Sequence, residues 1–335
     1  MKRIAFIFRT DVHVADKSPV SWKGDYPAEI WSNLEQIGQL AREHDATAVL
    51  DGGDYFHVKA STRNTHALVR RTADLHAGYP CPTHLVVGNH DIAYNNLDTL
   101  ERQPLGVLFS TGVFQRLGPV QALFEAPGPG GALHVRVVGA PYDPNRTLEQ
   151  LRDIKKEPTD SFLIAVVHQL AGKNPPANIE EFYGEPVFRY EDLVYEGGPD
   201  VWCFGHWHKD QGIEVIDGRY FVNLGAVSRG ALVKENLERN PKVALIEATQ
   251  EESEPKKIKV TPIRLKVAPA ADQFDLERKE QRDQESQAID QFVDRLTEEA
   301  LVDTTEGVET TVASLDFAPE VRRVATEYLE RARGE

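Results

Sequence analysis

The sequence predicts an α/β chain of the mixed type: two mixed β-sheets packed as a sandwich and flanked by helices, with a helical appendage at the C-terminus. Three observations predict it. In the first half, apolar runs of strand length alternate with amphipathic stretches of helix length. Further on, a hairpin and two long strands replace the helices, a pattern that suits a sandwich of sheets clothed by helices. Past about Val267 the composition turns charged and helix-forming. This sets the expected boundary between a body over 1–268 and a C-terminal region over 269–335.

In order, Ile4–Phe8 is a buried strand and Ala28–His44 a helix, followed by strand Thr47–Leu50 and helix Thr62–Ala77. Strands are then predicted at His84–Val87 and Leu133–Val138, a helix near Thr147–Lys156, and strands at Phe162–Val167 and Val201–Phe204. IEVIDGRYFV is a hairpin, because Asp217-Gly218 matches the two-residue turn that tolerates positive φ. Strands Lys242–Glu247 and Ile258–Val267 flank the polar loop TQEESEPKK. In the tail, Ile289, Phe292, Val293, Leu296 and Ala300 share one helical face, and Pro319 can open a last helix carrying Val321, Val324, Ala325, Tyr328 and Leu329. Such helices either pack on their own body or dock a partner.

The chain has 335 residues, enough for one large core plus an appendage. No apolar stretch approaches the roughly 20 residues of a membrane span, and Ile4–Phe8 is too short for a signal-peptide core, so no membrane partner and a cytoplasmic location are expected. Cys81 and Cys203 are the only cysteines, too few for a disulfide framework or a structural zinc knuckle. A net charge of −15 argues at first against nucleic acid. Its distribution changes that: Asp272–Glu335 carries 18 acidic against 8 basic residues, which leaves the remainder at only −5.

The ends of the apolar runs carry the chemistry: IAFIFRTDVH, AVLDGGDYFH, HLVVGNHD, FLIAVVHQ and VWCFGHWH. Five times an apolar run hands over to Asp, Asn or His, and in a sheet covered by helices the carboxyl ends of neighbouring strands open on one crevice. The candidate ligands are Asp11, His13, Asp54, Asn89, His168, His206 and His208, all nitrogen or oxygen donors. That set suits manganese, iron or zinc and disfavours magnesium. Seven side chains give two divalent cations four ligands each only if one carboxylate bridges, and Asp54, preceded by two glycines, is the natural bridge. Each residue also has a bland reading. Asp11 could end a strand, Asn89 sit in a Gly-Asn turn, His168 be a satisfied core histidine, and His206 and His208 lie exposed at a strand edge. His44, His66, His76, His84 and His134 belong to none of these blocks.

The ordered blocks D-V-H, G-D-Y-F-H, G-N-H-D, a lone H and G-H-W-H resemble the calcineurin-like metallophosphoesterase superfamily. More narrowly, GDYFHVKAST, VVHQ and NLGAVSRG are similar to the SbcD-type nuclease subunits of DNA repair complexes. The resemblance implies one metal on Asp11, His13, Asp54 and His208 and a second on Asp54, Asn89, His168 and His206. It implies His90 as general acid, with Asp91 orienting its ring, and leaves His57 outside the ligand set. It further implies a manganese-dependent DNA exonuclease or endonuclease acting in repair or recombination, a possible homodimer, and an SbcC-like coiled-coil ATPase as partner. Lys59, Arg63, Arg70 and Arg71 could meet a DNA backbone or form a solvated helix face. The main alternative is a stand-alone metallophosphatase or phosphodiesterase acting on small molecules or phosphoproteins. A non-catalytic scaffold would be expected to lack ligands, and none is missing.

Overall fold

Arg9 and Asp51 stand side by side on neighbouring parallel strands, and their charges meet inside the protein. This computed structural model describes residues 1–277, apart from 60, 119, 129, 130 and 253. The strands are β1 (Lys2–Arg9), β2 (Ala48–Asp51), β3 (Thr83–Leu85), β4 (Phe114–Arg116), β5 (Ala122–Ala126), β6 (Leu133–Ala140) and β7 (Phe162–His168). They continue as β8 (Leu170–Gly172), β9 (Val187–Arg189), β10 (Val201–Gly205), β11 (Gly212–Ile216), β12 (Arg219–Asn223), β13 (Lys242–Gln250) and β14 (Lys257–Arg264). One six-stranded sheet runs β14-β13-β1-β2-β3-β4, the other β11-β12-β10-β7-β6-β5, and β8 pairs with β9.

The two large sheets face each other across a core of alternate residues. Ile4, Phe6, Phe8 and Leu50 from one sheet meet Val135, Val137, Ile164, Val166, Val201 and Cys203 from the other. The intervening residues of β10, Trp202 and Phe204, point the opposite way and pack with Phe221, Tyr190 and Leu151, as the two-residue period of a strand requires. Helix α1 (Tyr26–Glu43) packs on β1, with Ile30, Trp31, Leu34, Ile37 and Ala41 buried at helical spacing. It begins two residues before the predicted start because the Asp25 side chain accepts the Ala28 N–H. Helix α2 (His66–Ala77) begins later than predicted, since Thr65 is its cap and Ser61–Arg63 forms a separate 3-10 turn. The hairpin turns where expected, with Asp217 and Gly218 both at positive φ.

Several elements escape sequence reading. β4 and β5 are edge strands, and β5 is nowhere fully buried, so neither presents a continuous apolar run. Helices α3 (Pro104–Ser110), α4 (Leu148–Arg152) and α5 (Ile179–Tyr183) are short, and only α4 falls within a predicted helix. Met1–Gln273 is one compact unit and Phe274–Glu335 another. The predicted tail helices around 289–300 and 321–329 lie outside the described residues. Among the described residues no helix is long and apolar enough to cross a membrane.

Beneath the strand ends, Arg9 Nε donates to Asp51 Oδ2 at 2.6 Å and Arg9 Nη2 lies 2.9 Å from His76 Nε2. Asp51 Oδ1 accepts the Gly53 N–H at 3.0 Å, so the pair also fixes the turn that leads to Asp54. Breaking a buried pair strands the remaining charge. Asp51→Ala is therefore expected to cost about 3–5 kcal/mol in urea unfolding; a loss under about 1 kcal/mol would show the guanidinium to be solvated.

Candidate metal centre

The register of parallel strands brings the predicted residues together. Arg9 pairs with Asp51, Asp51 with Leu85, and Gly205 with His168, so the polar residues that end or follow these strands gather at one edge of the sandwich. The loops are laced by backbone bonds, Asp11 N–H to Gly53 O at 3.0 Å and His13 N–H to Asp54 O at 3.1 Å. Asp11, His13, Asp54 and His206 have φ of 52°, 51°, 55° and 85°. Non-glycine residues there cost about 1 kcal/mol or more each, strain that tends to collect at functional sites. Gly88 is required by close approach, because a Cβ there would lie 2.2 Å from Asp54 Oδ1.

All seven predicted ligands converge. Asp11, His13, Asp54 and His208 offer donor atoms within 4.8 Å of one another, as do Asp54, His168 and His206. His13 Nε2 lies 3.0 Å from His208 Nε2 and 3.8 Å from Asp54 Oδ2, and His208 Nε2 lies 3.6 Å from Asp11 Oδ1. Asp54 Oδ1 lies 3.4 Å from His168 Nε2 while Oδ2 lies between His13 and Asn89, so the one carboxylate reaches both donor sets. The Asn89 side-chain oxygen lies 3.1 Å from both His206 Nδ1 and Asp54 Oδ2 and 3.2 Å from His168 Nε2.

These residues fit a pair of divalent cations. Ligand bonds near 2.1 Å put neighbouring donors about 3.0–3.4 Å apart, close to the separations found. The Asn89 oxygen, Asp54 Oδ2 and the two imidazole nitrogens form an array of lone pairs, which a cation satisfies. In this orientation the amide nitrogen faces Lys59 Nζ at 3.1 Å, but Lys59 is exposed and can swing aside.

Second contacts hold the donors in place. His168 Nδ1 is 2.6 Å from Gly52 O, and a carbonyl only accepts, so Nδ1 carries a proton and Nε2 is left facing Asp54. Thr10 Oγ1 and the His206 N–H both donate to the Asp11 carboxylate. The NLGAVSRG stretch forms a wall of the site. Val227 N–H bonds Thr10 O at 3.0 Å, Ser228 Oγ bonds Asp11 O at 3.2 Å, and Arg229 is paired with Glu29 of α1.

Charge balance follows the packing. Burial raises the Asp54 pKa, but His168 and then His90 and His13 outweigh it and hold Asp54 well below the usual carboxylate range. Burial likewise opposes ionisation of Asp11, yet the neighbouring His208 imidazole brings it down to about 2. Burial and then His208 push His13 well below its ordinary value. His168 rises to about 9 because Asp54 overcomes the effect of burial.

His90 lies beside these sets, its backbone N–H donating to Asp54 Oδ1 at 2.7 Å. The role expected for Asp91 is corrected. Its carboxylate accepts the N–H groups of Asp54, Tyr55, Phe56 and Gly88 at 2.9–3.3 Å, and no hydrogen bond joins it to the His90 ring. The partner of the ring is the His57 carbonyl, 2.7 Å from His90 Nδ1. Adjacency in sequence misled here, because the chain turns at Asp91 and sends its side chain inward while His90 stays half-buried. Asp91 thus ties the 54–56 loop to the 88–91 loop. Asp91→Ala would leave four N–H groups without an acceptor, at about 1–3 kcal/mol for each that water cannot reach. It is expected to lower unfolding stability and bound metal together. A change confined to the pH–rate profile would restore the orienting role.

Sequence reading also missed Glu185, whose Oε1 lies 2.9 Å from His206 Nε2, and Tyr142, whose ring centre is 5.3 Å from that of His206. Neither lies in a strand-end block, and only the fold brings them to the site. His57, left outside the ligand set, forms a third histidine group with His13 and His90.

The family model described as calcineurin-like phosphoesterase matches residues 4–210, a span that holds every residue of the two donor sets. The chain belongs to this family. Members of this family are metal-dependent phosphoester hydrolases that use two divalent metals. No curated protein matches it. Among solved structures it is similar to a putative 5'-nucleotidase from Staphylococcus aureus, with TM-score 0.53 and 13% identity over 79% of this chain and 55% of that one. It therefore spans about half the length of that relative. It is also similar to the calcineurin-like phosphoesterase YfkN from Bacillus subtilis, with TM-score 0.49 and 14% identity over 78% of this chain and 91% of that one. At such identities the likeness concerns the fold alone.

Proposed function

We propose that this phosphoesterase is a manganese-dependent DNA nuclease of the SbcD type, acting on phosphodiesters in repair or recombination. The observation that carries the reading is a cationic opening beside the donor sets. Lys17, Lys59 and Arg63 line a cavity of about 710 Å³ that His57 also lines, and Asp16 at its wall is engaged by Thr65. Phosphates flanking a scissile diester would find countercharge there. Arg70 and Arg71 contribute less to this reading, since Arg70 pairs with Asp74 along α2 and Arg71 lies over the Trp31 ring.

In this reading Asp11, His13, Asp54 and His208 hold one cation and Asp54, Asn89, His168 and His206 the other. When bound, two such cations acidify a water and relieve charge on the phosphoryl group. His208, with a side chain 49% exposed, marks the side open to substrate. His90 gives the leaving group its proton. Its Nδ1–H is committed to the His57 carbonyl, so Nε2 is the nitrogen that carries the transferable proton. The absence of sulfur among the donors favours manganese or iron, with zinc also accommodated. Docking of an SbcC-like coiled-coil ATPase through the C-terminal helices, and a homodimer, belong to the same proposal; those helices lie outside the described residues.

The test is an assay of the purified chain with manganese on linear duplex, single-stranded and hairpin DNA, with a small aryl phosphodiester as comparator. DNA cleavage that weakens steeply with salt, beside salt-tolerant turnover of the small ester, is the expected result. Turnover of the small ester with no DNA cleavage, alone or with a cognate ATPase, would move the assignment to a small-molecule phosphatase or nucleotidase.

A further inference from the structure

We propose that Glu185 is a positioning residue for the second cation, holding His206 so that Nδ1 faces Asp54, Asn89 and His168. The inference rests on the dinuclear reading above and assigns a role to a residue outside all five strand-end blocks. Glu185 Oε1 is 2.9 Å from His206 Nε2, and both side chains are only 8% exposed. The other ring nitrogen, Nδ1, lies 3.1 Å from the Asn89 amide, on the side of the donor set. A carboxylate accepts and does not donate, so it selects the tautomer with the proton on Nε2 and leaves the Nδ1 lone pair turned inward.

Burial supplies the second reason. Among the described residues, the only ion-pair partner found for Glu185 is His206, and the Tyr142 phenol beside its carboxylate is neutral. A carboxylate removed from water without a cation is costly. A divalent cation on the far side of the imidazole would offset that cost, completing a carboxylate–histidine–metal line of the kind that orients metal ligands generally. Tyr142 and Tyr183, with ring centres 5.3 and 6.3 Å from that of His206, flank the contact.

The chain is built to deliver this side chain. Gly184 ends α5 at φ 69°, a left-handed turn that reverses the chain just before Glu185. Directly after it, β9 pairs with β8, which begins two residues past His168. Glu185 is therefore tethered to the strand end that carries another predicted ligand of the same cation.

The experiment strips the full-length wild type, Glu185→Ala and Glu185→Gln of metal and titrates each with manganese. Calorimetry counts the binding steps, and electron paramagnetic resonance reads the spin-coupled manganese pair. Wild type is expected to take two equivalents. In Glu185→Ala the second step weakens by about 10- to 100-fold while the first is unchanged. Glu185→Gln falls between them, since an amide oxygen still accepts from Nε2, and it reports on the contact should the alanine variant fold poorly. Two full-affinity steps in the alanine variant, or equal weakening of both, would overturn the assignment while leaving the dinuclear reading intact. A wild type that binds no manganese would remove the dinuclear reading itself and this inference with it.

Discussion

Asp54→Ala is expected to abolish uptake of both cations and to lower phosphodiester turnover by more than about 10³-fold, roughly 4 kcal/mol or more of transition-state stabilisation. The size of the effect comes from the position of one carboxylate. Oδ2 faces both His13 and Asn89 and Oδ1 faces His168, so one side chain serves both donor sets. Without it each set loses an anionic ligand. Asp11 remains on one side, but only Asn89, His168 and His206 remain on the other, a neutral trio against a divalent charge. Asp54→Asn is the gentler control, because asparagine tolerates the backbone φ of 55° and keeps the shape of the side chain. Metal analysis of dialysed protein checks the prediction, as does the manganese-dependent rise in melting temperature expected of wild type alone. A cation that binds at 100 times its Kd stabilises by about 2.7 kcal/mol. Full metal content in the alanine variant would show that Asp54 does not bridge.

His90→Ala, by contrast, is expected to keep both cations and still lose about 10² to 10⁴ in kcat on esters with alkoxide leaving groups. The hydrogen bond of His90 to the donor sets is made by its backbone N–H, which alanine retains, while its ring only stands edge-on to His13, with centres 4.8 Å apart. What disappears is the ring. An aryl phosphodiester releases a phenolate that needs no proton, so turnover of that substrate should change little. The pH dependence has a definite sign. Burial lowers the His90 pKa, Asp54 and the His57 carbonyl raise it, Lys59 and His208 lower it, and the net shift is downward. A group that acts as an acid is lost as pH rises through its pKa. In wild type, kcat/KM on alkyl esters should therefore fall as pH rises through a value lower than that of an ordinary histidine, and this limb should be missing from the variant. A variant empty of metal would instead make His90 part of the metal centre.

Much of the fold was legible because its signals are local. The run Val201–Phe204 reads as a buried strand from its residues alone, and the structure adds that Trp202 and Phe204 face one core while Val201 and Cys203 face the other. The Asp217-Gly218 turn was equally visible, since positive φ is a property of the dipeptide. β5 was not, because a half-exposed edge strand carries little apolar patterning.

The sequence by itself determined which side chains end the central strands, and with them a set of nitrogen and oxygen donors suited to divalent cations. Covalent spacing is enough to say that His206 and His208 follow closely on the end of β10, although the left-handed backbone at His206 takes them off the strand. Only the tertiary structure decided who steadies those donors. Asp91, next to His90 in the chain, turned out to bind four backbone N–H groups, and the ring is held by His57 from 33 residues away. Glu185 reaches His206 from a different loop altogether. A hydrogen bond depends on where two atoms lie in space, and for residues on separate loops that position is set by packing of the whole sandwich, which no short stretch of sequence encodes.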